Sequence, residues 1–140
     1  MKTKIIKFLD LWTPVIILAL IIFKFSSGVV PQVSPLYWPN FAFMKGAHAL
    51  FFGALALLLY RALRGEGWTR KRAAIWAITL SILYGTSDEF HQIYTQGREA
   101  RIRDVVVDGI GASIVILFIY RVLPRLPKKF QTFLLQFGIN

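Results

Sequence analysis

The chain predicts an all-α integral membrane bundle, with four transmembrane helices and a short C-terminal interfacial helix. Composition is the first reason: of 140 residues 56% are hydrophobic and 17% charged, and the mean hydropathy is +0.55, too apolar for a soluble domain of this size. Patterning is the second, because the apolar residues gather into stretches separated by Lys- and Arg-rich or Pro-rich segments. The third is that ionisable residues inside those stretches, Lys45, His48, Asp88, Glu89, His91, Asp104 and Asp108, recur at helical spacing. At a bilayer centre a charge costs roughly 2.5 to 3.5 kcal/mol on insertion scales, so such a pattern points to a functional site.

The first stretch runs from about Leu11 to Phe25. It follows Lys2, Lys4 and Lys7 as a signal peptide would, but no Ala-x-Ala site follows and Lys24 interrupts its end, so a retained span is expected. Pro14 lies near its start, and Lys24 snorkels to the interface. Val29 to Asn40, with Pro31, Pro35 and Pro39, reads as an irregular loop on the outer surface. The second stretch, Phe41 to Ala62, and the fourth, Val105 to Leu123, meet on their own the roughly 20 residues that a span requires. The third, Ala73 to Tyr84, reaches that length only through its polar continuation to Tyr94. Between the second and third, Gly65-Glu66-Gly67-Trp68-Thr69-Arg70-Lys71 lacks the spacing and preceding strand of a phosphate loop and reads as a turn. After the fourth, Phe130, Phe133, Leu134 and Phe137 follow Lys128 and Lys129 at helical spacing, as in an amphipathic interfacial helix.

Lys and Arg cluster before the first stretch, between the second and third, and after the fourth, whereas the segment 26–40 carries no charge. The positive-inside rule then sets both termini in the cytoplasm. Trp12, Trp76, Tyr60 and Tyr120 are expected at the inner interface, and Tyr37, Trp38 and Tyr94 at the outer one. The net charge of +10 is explained by this flanking and forms no stripe for nucleic acid. There are no cysteines, hence no disulfides and no thiol chemistry. One domain, residues 1–140, suffices, since neither an internal repeat nor a low-complexity linker divides the chain.

Lys45 and His48 share a face, roughly 6 and 10 Å in from a helix start near Phe41. Asp88, His91 and Gln92 share another, and Asp104, Asp108 and Gly111 a third. Topology brings all three to one depth, with Gly85, Gly109 and Gly111 permitting close backbone approach. His48 and His91 suit general bases, and Asp88 and Glu89 could orient them or share a proton. The same residue types are donors for a divalent cation, with His48, Glu89, His91 and Asp104 as the candidate set. The bland alternative is ion pairing for helix register, Lys45 with Asp104 or Asp108 and Arg98 with Glu89. A network of this density would be a costly way merely to hold helices together, which favours a site.

Lys45-x-x-His48, then Tyr84-Gly85-x-x-Asp88-Glu89-x-His91-Gln92, Gly97-Arg98, Asp104, Asp108 and Gly111 resemble the VanZ-like family, most strongly over residues 41–123. The resemblance implies a bacterial multi-pass protein of the cell envelope, in a family named for a member associated with resistance to the glycopeptide teicoplanin. It carries over Lys45, His48, Glu89, His91, Gln92, Arg98 and Asp104. Three positions depart from it: Gln96 stands where Pro is frequent, Arg101 where a small hydroxyl residue is common, and Asp108 where Asn is common.

Two functions compete. One is binding or altering a lipid-linked component at the outer leaflet, with Lys45, Gln92, Arg98, Arg101, Asp104 and Asp108 as binding candidates. There Arg98, Arg101 and Arg103 would draw a phosphate head group, which guanidinium matches in two-point geometry. The other is an enzyme acting on an anionic amphiphile, with His91 or His48 as base, Asp88 or Glu89 orienting it and Arg98 stabilising charge. A proton-linked transporter is disfavoured by four short helices without inverted repeats. The implied partners are the bilayer and an anionic lipid or lipid-linked envelope precursor; the sequence does not fix an oligomeric state.

Overall fold

The computed structural model describes residues 2–28, 33–98 and 100–139, and every described element is helical. Val29 and Pro31, both named in the sequence reading, lie outside the described residues, as does the side chain of Lys2. The helices are α1 (Lys2–Ser26), α2 (Tyr37–Gly65), α3 (Arg70–Gln92), α4 (Ile102–Leu117) and α5 (Lys128–Gln136). After α4 the chain continues through a π-helical turn, Phe118–Val122, and a 3₁₀ turn, Leu123–Arg125. Pro124 has no N–H to donate to a carbonyl one turn back, which is why the regular helix cannot persist there.

Among the described residues three segments are long and apolar enough to cross a bilayer: Thr3–Ser26, Tyr37–Gly65 and Ile102–Arg125. The four spans expected from the sequence are thus three by length and composition. At 23 residues α3 is about 34 Å long, but Thr86, Ser87, Asp88, Glu89, His91 and Gln92 make its second half polar. Of the segment 29–40, expected to be an irregular loop, the part from Tyr37 is helical. Pro39 sits in the first turn of α2, where its missing N–H leaves no intrahelical bond unmade, so α2 begins at Tyr37, four residues before Phe41. Asn40 fastens the preceding loop, its Oδ1 accepting from the Val33 and Ser34 amides at 2.7 and 2.9 Å.

The helices alternate in direction. Arg61 near the end of α2 meets Asp10 near the start of α1, and Arg70 at the start of α3 donates to the Ile119 carbonyl beyond α4 at 3.3 Å. Lys4, Lys7, Arg61, Arg64, the Arg70–Arg72 run, Arg121, Arg125, Lys128 and Lys129 therefore gather at one end of the bundle, here the basic end. α2 is the central element and packs on α1, α3 and α4. Its seam with α4 is parallel and built from small residues: a Cβ at Gly111 would lie 2.2 Å from the Ala49 carbonyl oxygen, and one at Gly53 would lie 2.9 Å from Val115. Only glycine permits that approach. Phe52, Leu55, Ala56, Leu59 and Ala112 fill the core behind the seam. Tyr60, beside Arg61 near the end of α2, is enclosed in the bundle as well.

Pro14 leaves the Asp10 carbonyl without its helical donor. Arg61 supplies one, with Nη1 2.9 Å from that oxygen and Nη2 2.7 Å from the Asp10 carboxylate. Its Nε donates to the Phe137 carbonyl at 2.7 Å, which fastens the end of α5 to the same point. α5 is the amphipathic helix expected from its spacing: Leu134 packs on the core while Phe130, Phe133 and Phe137 remain exposed.

Candidate functional site

The polar constellation gathers at the end opposite the basic one, where α2 and α4 begin and α1 and α3 finish. Because α2 and α4 run parallel, their polar residues pair in order along the seam. Lys45 Nζ donates to Asp104 Oδ1, and one turn deeper His48 Nδ1 lies 2.9 Å from Asp108 Oδ1. Below these, Ala49 meets Gly111 and Gly53 meets Val115, so one register runs from charge pairs at the mouth to backbone contact inside. Arg103 Nε stands 3.8 Å from Asp104 Oδ1. Asp104 also occupies the first turn of α4, where a carboxylate is favoured by the helix dipole.

Asp108 is the most enclosed of these groups, its side chain only 1% exposed. It fits because Gly85 on α3 has no side chain: a Cβ there would lie 2.8 Å from Asp108 Oδ2. That oxygen has no hydrogen-bond partner among the described residues. Asp108 Oδ1 can hold the His48 Nδ1–H, which fixes the ring and leaves Nε2 for the cavities that His48 lines.

On α3, Gln92 holds two carboxylates together. Its Nε2 donates to Asp88 Oδ2 at 3.1 Å and to Glu89 Oε1 at 3.5 Å. Glu89 Oε2 accepts the Arg101 backbone N–H at 2.6 Å, so this carboxylate caps the start of α4. Asp88 and Gln92 share a face as their spacing predicts. His91, expected beside them, turns to α1 instead: its Nε2 lies 2.9 Å from Ser27 Oγ and its ring centroid 4.4 Å from that of Phe23.

Arg98 is not paired with Glu89, as the ion-pair alternative would have it. It donates from Nε to the Gly28 carbonyl at 2.9 Å and from Nη2 to the Phe25 carbonyl at 2.5 Å, completing bonds that the last turn of α1 cannot make internally. Gly97, at φ +77°, gives the chain the turn that returns Arg98 toward α1. Serine partners at the end of α1 carried no signal in the sequence beyond closing an apolar run.

Lys45, His48, Arg98, Arg101, Arg103 and Asp104 line a cavity of about 310 Å³ whose rim includes Tyr37, Phe41 and Met44. Among the described residues Lys45 and three arginines thus face one carboxylate across this space. Among the described residues no three His, Asp or Glu side chains are arranged to hold a metal ion. His48, Glu89, His91 and Asp104 do not fit as a cation shell, since Lys45 holds Asp104, the Arg101 amide holds Glu89, and His91 faces α1. What the arrangement offers chemically is anion recognition beside an imidazole oriented by a buried carboxylate.

The family described as VanZ/LLP1 matches residues 3–124, most of the chain, and the match takes in α1 as well as the cluster. No curated protein and no solved structure matches the chain.

Proposed function

The chain belongs to the VanZ/LLP1 family, and we propose that it binds the phosphate-bearing head of a lipid-linked component at the outer leaflet of a bacterial cell membrane and thereby lowers the action of teicoplanin. The observation that carries this reading is the cavity in which Lys45, Arg98, Arg101 and Arg103 face, among the described residues, the single carboxylate of Asp104. Lys45 neutralises Asp104, and Arg98 closes α1. We assign the recognition to Arg101 and Arg103 because they border the cavity and their guanidinium groups offer phosphate a two-point geometry. The cavity lies at the end of the bundle away from the Lys- and Arg-rich loops, which under the positive-inside rule is the outer side, with both termini cytoplasmic. In this reading residues 1–140 form one domain, α3 completes a four-helix span, and α5 lies in the inner interface with its exposed phenylalanines in lipid.

One contact favours a second reading, an enzyme acting on the same anionic amphiphile. His48 and Asp108, 2.9 Å apart at the cavity wall, form an oriented base. In that role Asp108 does the orienting that the sequence suggested for Asp88 or Glu89, and His91 has no part.

Teicoplanin susceptibility of cells expressing the chain tests the proposal. The wild-type chain should reduce susceptibility, Arg101→Gln/Arg103→Gln should lose the effect at equal membrane abundance, and His48→Ala should lose it only in the enzymatic reading. A wild-type chain with no effect, or one unchanged by the arginine substitutions, contradicts the proposal.

A further inference from the structure

A second cavity, of about 280 Å³, lies between the end of α1 and the first half of α2. Ile22, Phe25, Phe43, Ala47, Phe51 and Phe52 give it an apolar wall. It adjoins the basic cavity, because Met44, His48, Gln92 and Arg98 border both. We infer that this second cavity holds one hydrocarbon chain of an anionic lipid whose phosphate sits in the basic cavity, an inference that rests on the binding reading above.

Size and charge both support that occupant. At about 30 Å³ for each water-sized group, the space takes roughly nine such groups, which suits the upper part of an acyl chain and not a whole lipid tail. Electrostatics fix which end goes where. Among the described residues the basic cavity sets four cations against one carboxylate, whereas the apolar cavity sets Arg98 against Asp88, whose Oδ1 is buried without a well-formed hydrogen bond. A phosphate is drawn to the first more strongly than to the second, where Asp88 offsets Arg98 and Arg98 already donates to the Gly28 and Phe25 carbonyls. His48 stands on the shared wall, beside the place where head and chain of such a lipid join.

α1 makes the apolar cavity accessible from the membrane. It leans chiefly on α2 and only lightly on α3, and its end is held by Arg98 and His91. A chain entering sideways between α1 and α2 meets Phe25 and Phe51, whose ring centroids are 6.0 Å apart. It then lies along Ala47, the smallest side chain of the wall.

The test uses the full chain in phosphatidylcholine nanodiscs doped with phosphatidate carrying a diazirine in the first half of one acyl chain. Phosphatidylcholine bearing the same diazirine chain is the control. After irradiation, mapped labels on phosphatidate are expected at residues 43–52, on the order of tenfold above the control, near the lower end of what charge-assisted hydrogen bonds to one head group supply. Ala47→Phe fills the cavity and should abolish those labels while native mass spectrometry still shows phosphatidate retained over phosphatidylcholine. Ala47→Leu, a smaller plug, should lower them in the same direction if the larger side chain disturbs folding. Retention of phosphatidate with labels only on lipid-facing residues such as Leu20 and Ile110, or with labels unchanged by either plug, would overturn the chain site and leave the head-group reading standing. Equal labelling and retention of the two lipids would instead overturn the head-group reading, and this inference with it.

Discussion

The Lys45–Asp104 pair offers a quantitative check on the seam between α2 and α4. Lys45→Met strands the Asp104 carboxylate, whose side chain is 10% exposed. Breaking a buried pair from one side costs about 3 to 5 kcal/mol. Arg103 Nε, 3.8 Å from the same oxygen, remains as a partner, but its side chain is 47% exposed and solvent limits its contribution to about 1 kcal/mol. Lys45→Met is therefore expected to cost about 2 to 4 kcal/mol. Asp104→Asn strands an ammonium that has the Phe41 ring at 5.6 Å, and the full 3 to 5 kcal/mol, roughly, is expected. The double variant buries neither charge and should cost about 1 to 2 kcal/mol, giving a coupling of roughly 3 kcal/mol or more. Equilibrium unfolding in mixed micelles, followed by fluorescence of the four Trp residues, measures all three. Costs that add to within about 0.5 kcal/mol would refute the pairing, because residues that do not interact behave additively.

Other substitutions probe the remaining contacts. Gly111→Ala should destabilise by about 1 to 3 kcal/mol, since its Cβ would press on the Ala49 backbone. Gly46→Ala, with nothing within 4 Å, should be neutral or stabilise by about 0.5 to 1 kcal/mol; the same unfolding assay reads the opposite signs. Arg61→Met removes the bonds to Asp10 and Phe137 together, and hydrogen exchange should rise in α5 and the first half of α1 but stay unchanged in the α2–α4 seam. His91→Ala should loosen the end of α1, read as faster exchange at residues 20–27, while phosphatidate retention persists. Loss of retention in that variant would return His91 to the site.

The convergence on one end of the bundle was legible because helical spacing and charge asymmetry are local properties of the chain. Lys45 with His48, and Asp104 with Asp108, announced their faces by periods of three and four. Partner choice was less legible. Nothing in the spacing says that Asp108 takes His48 while Asp104 takes Lys45; that follows from the parallel register set where Gly111 meets Ala49. Arg98 and His91 look like site residues because charge in an apolar chain is conspicuous, yet both spend hydrogen bonds on the end of α1. Their partners are backbone carbonyls and a serine, which carry no sequence signature. Likewise nothing in the sequence ties Pro14 to Arg61, which fills the bond that the proline removes.

The central claim is anion recognition by the cavity that Arg101 and Arg103 border, and native mass spectrometry of the protein released from nanodiscs holding equal phosphatidate and phosphatidylcholine tests it most directly. Wild type should retain phosphatidate preferentially, by on the order of tenfold, and Arg101→Gln/Arg103→Gln should retain both lipids equally. Equal retention by the wild-type protein, or an undiminished preference in the double variant, would contradict it.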